Sequence, residues 1–295
     1  MRPTLTLITL LAACLLLLPT AQAQTSQKSF VPTRLGQIFV LHITPPGPPS
    51  GWRTPMLLIH QTSLSHLEYG PLAPDLARDR PVTLIDLPGY GSSDPLPAPI
   101  TIDQYADAVA DALAALQTQG GPPTYDVMGT HGGSLVASQL ALAYPARVRR
   151  LVVNGLALET PAEEHARYIA IRRDEPFPAT VLRLQQGLVG LLAEKNSGLD
   201  PEGISMILVD SLRSYTRRWY LFDASARYPG MDRLPHLRQK MLIITMQDDL
   251  RDDTIRSVKF LPHAHLVDLS PLARLPYYRA PAKVATTLRR FLDTP

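Results

Sequence analysis

Tyr125-Asp126-Val127-Met128-Gly129-Thr130-His131-Gly132-Gly133 is the stretch that decides how this chain is read. Tyr125 to Met128 is a short apolar-rich run of strand length, and Leu135 to Ala143 is a helical pattern stopped by Pro145. Between them stands a turn dense in glycine. Glycines two residues before and two residues after His131 remove the side chains that would collide in a sharp strand-to-helix turn. The pattern therefore predicts a strained bend that pushes the His131 side chain outward, with the N–H of Gly132 at the start of a helix.

Working outward, other strand-length apolar runs are Met56 to Ile59, Val82 to Ile85, Val148 to Val153, Met241 to Ile244 and Leu266 to Leu269. A further strand is expected over Arg34 to Leu41, entered through Gly36, after a polar stretch. Thr101-Ile102-Asp103-Gln104 is a capping box that opens a helix to about Leu116, and Ala282 to Leu292 reads as a closing helix. Strands alternating with helices imply an α/β architecture, a mainly parallel sheet covered on both faces. The alternation stops between Gly155 and about Leu237. Helix-like segments at 162–173, 179–194 and 204–219 fill that interval and read as a helical cap.

The ends and the composition bound the function. Residues 1–23 carry one charge, Arg2, then an apolar run from Leu5 to Leu18 and Ala21-Gln22-Ala23, the pattern of a secretory signal peptide. That run is shorter than a spanning helix needs, so no stable membrane span is expected after cleavage. The alternatives are an uncleaved anchor and lipoprotein processing at Cys14, which four leucines in a row argue against. The mature chain is expected to be periplasmic or secreted. Its organisation follows: signal peptide 1–23, core 24–156 and 236–295, cap 157–235. Cys14 is the single cysteine of 295 residues, which excludes an internal disulfide and leaves the mature chain without a thiol nucleophile. A net charge of +3 with no basic run gives no argument for nucleic acid.

These motifs resemble the α/β-hydrolase superfamily, in its cap-bearing branch of haloalkane dehalogenases and epoxide hydrolases. Leu57-Leu58-Ile59-His60 resembles the strand entering the family's His-Gly oxyanion turn. Asp86-Leu87-Pro88-Gly89-Tyr90-Gly91-Ser92-Ser93-Asp94 resembles its D-x-P-G-x-G-x-S-D turn, and Tyr144-Pro145-Ala146-Arg147-Val148 the passage after the elbow. The resemblance implies an eight-stranded α/β-hydrolase fold with a helical cap, and no cofactor.

The same resemblance exposes departures at the catalytic positions. His131 stands where the family carries Ser, Asp or Cys. Shifting the frame to Ser134 would require glycine at 136, which is Val136. The family's base histidine matches Arg274, which cannot accept a proton near neutrality. His263 and His265 precede or begin the last strand, at the wrong end of the sheet. The acid position matches Asp249, with Asp248 beside it, and an Asp249–Arg274 ion pair is expected. His60-Gln61-Thr62 replaces His-Gly-x at the oxyanion turn, with the N–H groups of Thr62 and Gly132 as donors, an added amide on Gln61, and His60 and Gln61 counted with them in the oxyanion and substrate-binding set. A subgroup combining H-Q-T with G-x-H-x-G is similar. His60 reads as structural, and no spacing supports a metal site built on His60 and His131.

Two functions follow as expectations. One is a hydrolase or lyase acting on a small ester, amide or carbonyl compound without an acyl-serine, with His131 as base or nucleophile and Arg274, held by Asp249, orienting the substrate. The other is a catalytically silent protein that binds a small ligand. Oligomeric state is not encoded in any of these patterns.

Overall fold

The computed structural model describes residues 23–160, 201–273 and 275–294, with a few positions between 162 and 189. The expected signal peptide, apart from Ala23, together with Arg274 and most of the expected cap helices at 162–173 and 179–194, lies outside the described residues. Strands β1 (Thr25–Thr33) and β2 (Gly36–Thr44) form an antiparallel pair. The expected strand at Arg34 is therefore displaced. Arg34 and Leu35 make the turn, β2 starts at Gly36, and the polar stretch before it is itself a strand. Most of β1 is exposed, which is how an edge strand can be written in Thr, Ser, Gln and Lys.

The remaining strands are β3 (Met56–Ile59), β4 (Val82–Ile85), β5 (Tyr125–Thr130), β6 (Val148–Asn154), β7 (Lys240–Thr245) and β8 (Ala264–Asp268). They complete an eight-stranded sheet ordered β1-β2-β4-β3-β5-β6-β7-β8, parallel from β4 to β8. This is the eight-stranded, mainly parallel sheet expected from the sequence. β3, β4 and β5 are buried along their whole length, so both faces must be apolar. Leu57 and Ile59 pack on one side with Val127, Val153 and Ile243. Met56 and Leu58 pack on the other with Met128, Val152 and Leu242. Each such side chain contributes about 1.5–3 kcal/mol through burial.

The helices cover these faces. α1 (Leu72–Leu76) precedes β4, and α2 (Ile102–Thr118) opens at Thr101 with the expected capping box, both reciprocal bonds present. α3 (Gly132–Ala143) follows β5 directly. α4 (Pro201–Arg213) and α5 (Tyr220–Ala226) lie between β6 and β7. The helix expected over 204–219 is thus broken, α4 being followed by a single 3-10 turn at Tyr215–Arg217. The hydroxyl of Tyr90 donates to the carbonyl of Arg217 (3.3 Å) and accepts the N–H of Leu221 (2.9 Å). This ties α5 to the turn after β4.

α6 (Arg251–Ser257) precedes β8, and α7 (Pro281–Leu292) closes the chain against α1. Arg289 bonds Asp75 and Asp79, and the buried Arg80 bonds Asp293 at 2.8 Å. Because β3 to β8 run in parallel, His60, Asp86, His131, Gly155 and Met246 all emerge at one edge of the sheet. That edge is where ligands bind in open α/β sheets.

Candidate active site

The elbow forms as its glycines require. His131 has φ 48° and ψ −116°, a conformation that side-chain-bearing residues rarely adopt. A Cβ on Gly129 would strike the carbonyl of Gly133 and sit 2.7 Å from the N of Ser134. A Cβ on Gly133 would strike the carbonyl of His60 and sit 2.6 Å from that of Ile59. β5, α3 and the end of β3 are therefore packed backbone against backbone. His131 N–H donates to the carbonyl of Asn154 (2.7 Å), which fastens the bend to β6.

Ser134 does not offer a nucleophile. Its fully buried hydroxyl lies within bonding distance of two backbone carbonyls, Gly129 (2.9 Å) and Asn154 (3.0 Å). It braces the elbow from beneath.

The carboxylate in contact with His131 is that of Asp248. Nε2 of His131 lies 3.4 Å from Oδ2 of Asp248, with both side chains partly exposed. The loop after β7 turns tightly at this point, Asp248 N–H donating to Met246 O (2.9 Å) and Asp248 Oδ1 accepting Leu250 N–H (3.0 Å). That turn aims the first aspartate at the elbow. The second, Asp249, lines the same cavity as His131. Its charge also acts on His131, so the expected acid position adjoins the elbow as well. The expected Asp249–Arg274 pair lies outside the described residues at its arginine end.

Three carboxylates act on His131. Burial disfavours the imidazolium, but the Asp248 contact, joined by the charges of Glu68 and Asp249, outweighs it and raises the pKa above the ordinary histidine value. With Nε2–H donating to Asp248, Nδ1 is left carrying the lone pair. This is the orientation of a carboxylate-held base.

His60 is structural, as the family pattern implies. It is fully buried, its Nδ1 lies 2.7 Å from Gln61 O, and its Nε2 accepts the N–H of Leu87 (2.9 Å). Burial pushes its pKa down, so it is a neutral link between the turns after β3 and β4.

The Gln61 turn contains a residue that sequence reasoning missed. Glu68, in the 3-10 turn His66–Tyr69, is almost wholly buried, and its two carboxyl oxygens accept from Gln61. One takes the backbone N–H at 2.7 Å and the other the side-chain amide at 2.8 Å. Burial drives its pKa up, opposed by these bonds and by His131, to about 7. The available signal was a glutamine in a glycine position followed seven residues later by a carboxylate.

A second missed feature lies beneath the elbow. Tyr277 bonds Asn154 Nδ2 (2.7 Å) and Thr130 Oγ1 (2.8 Å), and Thr130 in turn bonds Tyr69 (3.2 Å), which donates to Ile59 O (2.7 Å). The Tyr69 and Tyr277 rings stack at 5.0 Å. This closed polar chain ties β3, β5 and β6 to the last loop.

Beside His131 a cavity of about 100 Å³ is bounded by Gly132, Leu156, Phe222, Tyr228 and Asp249. Among the described residues no group of three or more His, Cys, Asp or Glu is placed to hold a metal ion. No helix among them is long and apolar enough to cross a membrane.

Comparison with known proteins agrees with this fold. A family model described as alpha/beta hydrolase fold matches residues 54–231. The pimeloyl-[acyl-carrier protein] methyl ester esterase of Neisseria meningitidis is 35% identical over 114 residues, 38% of this chain and 41% of that protein. The 2-hydroxymuconate semialdehyde hydrolase of a Pseudomonas species is 32% identical over 112 residues, 37% of this chain and 38% of that protein. The chain thus spans about two fifths of these relatives. Among solved structures, the enol-lactonase of Burkholderia xenovorans superposes with TM-score 0.72 at 16% identity, covering 90% of this chain and all of that one. A thermophilic esterase from Thermogutta terrifontis gives 0.70 at 20% identity, covering 90% of this chain and 98% of that one. At such identities the superpositions speak for the fold, and with the matched family model they support one statement: the chain belongs to the alpha/beta hydrolase family.

Proposed function

We propose that the protein is an exported hydrolase in which the His131–Asp248 dyad activates water against a small ester or related carbonyl substrate. The observation that carries the reading is the carboxylate-held imidazole at the apex of a strained elbow. Nδ1 of His131 takes a proton from water as the oxygen attacks the carbonyl carbon. The negative charge that develops on the carbonyl oxygen is met by the N–H groups of Gly132 and Thr62, the former at the start of α3. Collapse of the tetrahedral species breaks the bond to the leaving group, which receives the proton held on His131. Water is added across the ester bond, and no acyl-enzyme forms. The ester class is supported by the names of the relatives, several of which are methyl ester esterases. Residues 1–23 would direct export and leave the core and cap, 157–235, as the mature protein.

Two measurements test this. A fluorophosphonate probe should leave the purified protein unlabelled, since Ser134 is buried; labelling there overturns the reading. A screen of p-nitrophenyl esters should show turnover that rises with pH through one inflection above the ordinary histidine range. Ligand binding with no turnover of any ester, lactone or amide would instead make the chain a silent binding protein.

Asp248→Asn should lower that inflection, because the neutral amide no longer stabilises the imidazolium. It should also cost at least about tenfold in kcat, by loosening the base. The native dyad holds its proton more tightly than an unfolded histidine. Its stabilisation is thus full below the unfolded pKa and lost as pH rises through the folded one. An inflection that stays put in Asp248→Asn would remove Asp248 from the dyad.

A further inference from the structure

We propose that the side-chain hydroxyl of Thr62 is a third donor to the substrate oxygen, and that the Gln61–Glu68 pair positions it. The proposal rests on the acid–base reading above and adds a substrate-touching group to it.

Thr62 is 7% exposed, and its Oγ1 has no hydrogen-bond partner among the described residues. A buried hydroxyl without a partner is uncommon, because it gives up its bonds to water and gains none in return. Its position gives the absence a meaning. A Cβ placed on Gly132 would lie 2.9 Å from Thr62 Oγ1, so the hydroxyl reaches the first residue of α3, beside the N–H that would meet an oxyanion. Glycine at 132 keeps that approach open. The same Cβ would lie 2.9 Å from Cδ2 of Leu221 on α5. Leu221 therefore covers the spot and shields it from water, and its side chain must swing aside to admit a ligand oxygen.

The turn is held by a two-point clamp. Both donors of Gln61, backbone and side chain, converge on one buried carboxylate, at 2.7 and 2.8 Å. Immediately after Thr62 the chain reverses at Ser63, with φ 68°. A glycine at 61 would keep the backbone bond alone and leave the turn free to rock. Glutamine and Glu68 together fix the peptide that carries Thr62. Glu68 is thus a positioning residue, acting through Gln61 rather than on the substrate.

The test uses p-nitrophenyl acetate turnover together with butyrate binding by isothermal titration calorimetry, the carboxylate standing in for the oxyanion. Thr62→Val keeps the shape and removes the hydroxyl. It should lower kcat roughly 100-fold with little change in KM, and weaken butyrate by about tenfold. Thr62→Ser should retain most of both activities. Glu68→Gln replaces one acceptor oxygen with a donor and should lower kcat about tenfold; added to Thr62→Val it should cost little more, because both act on one group. Should Thr62→Val not fold, Thr62→Ala against Thr62→Ser makes the same comparison. Unchanged kcat and butyrate affinity in a folded Thr62→Val overturn the proposal, while a dead His131→Ala in the same assay leaves the acid–base reading standing. Full activity in His131→Ala overturns that reading instead. A wild-type protein that neither binds butyrate nor hydrolyses an ester overturns both.

Discussion

His131→Ala is expected to reduce kcat for p-nitrophenyl esters by about 10²- to 10⁴-fold, with KM nearly unchanged. The substitution takes away the only imidazole that the described elbow presents to the cavity, and it leaves the N–H groups of Gly132 and Thr62 where they are. Binding and oxyanion stabilisation therefore survive while proton transfer does not, which places the loss on kcat. Loss of the Asp248 contact should lower stability modestly, which urea unfolding reads. Added imidazole should restore part of the rate, since the vacated space adjoins Asp248 and Gly155. Steady-state kinetics with and without imidazole checks this; an undiminished kcat would remove His131 from the chemistry.

Gly133→Ala should have the largest effect on stability. The added methyl would meet the carbonyls of His60 and Ile59, backbone atoms at the end of a strand buried on both faces. No flexible side chain is available to give way. β3 and α3 must separate, at a cost on the order of 3 kcal/mol, the upper end for an overpacked site. Urea unfolding should show this as a lowered midpoint with little change in slope. Gly51→Ala is the control: nothing lies within 4 Å of its Cβ, and its stability should stay within about 0.5 kcal/mol of the parent. Equal midpoints for the two variants would mean that the elbow is not packed as described.

Much of the scaffold was legible because its determinants are local. Four-residue apolar runs gave β3 and β4 to the residue, and Thr101 with Gln104 set the start of α2. Gly129 and Gly133 marked the elbow because a backbone contact forbids anything larger. β1 was not legible: an edge strand needs backbone pairing with β2 but little apolar surface, so its polar sequence resembles a loop. Motif spacing placed His131 and Gly132 at the end of β5 and Thr62 just after β3, where the structure has them. Which of Asp248 and Asp249 touches His131 was not legible, because adjacent acids differ only in which way the loop turns, and Met246 and Leu250 decide that. Glu68 and Tyr277 escaped for another reason. Each acts across the fold on Gln61 or Asn154, through bonds that leave no periodic trace in the chain.

Tyr90 gives the cap a mechanical character. Its phenol is both donor and acceptor to the segment between Arg217 and Leu221, and it sits at the centre of the turn after β4. Arg217 Nε donates to the carbonyl of Gly89 (3.3 Å) and Ser214 Oγ to that of Ser63 (3.2 Å), so the backbone of this segment is held at several points. Leu221 lies on that held backbone, its N–H bonded to Tyr90, so its side chain can swing by a torsion of its own while the backbone stays still. The cover over Gly132 would then work as a latch rather than a door, opening by the width of one leucine without dismantling the roof.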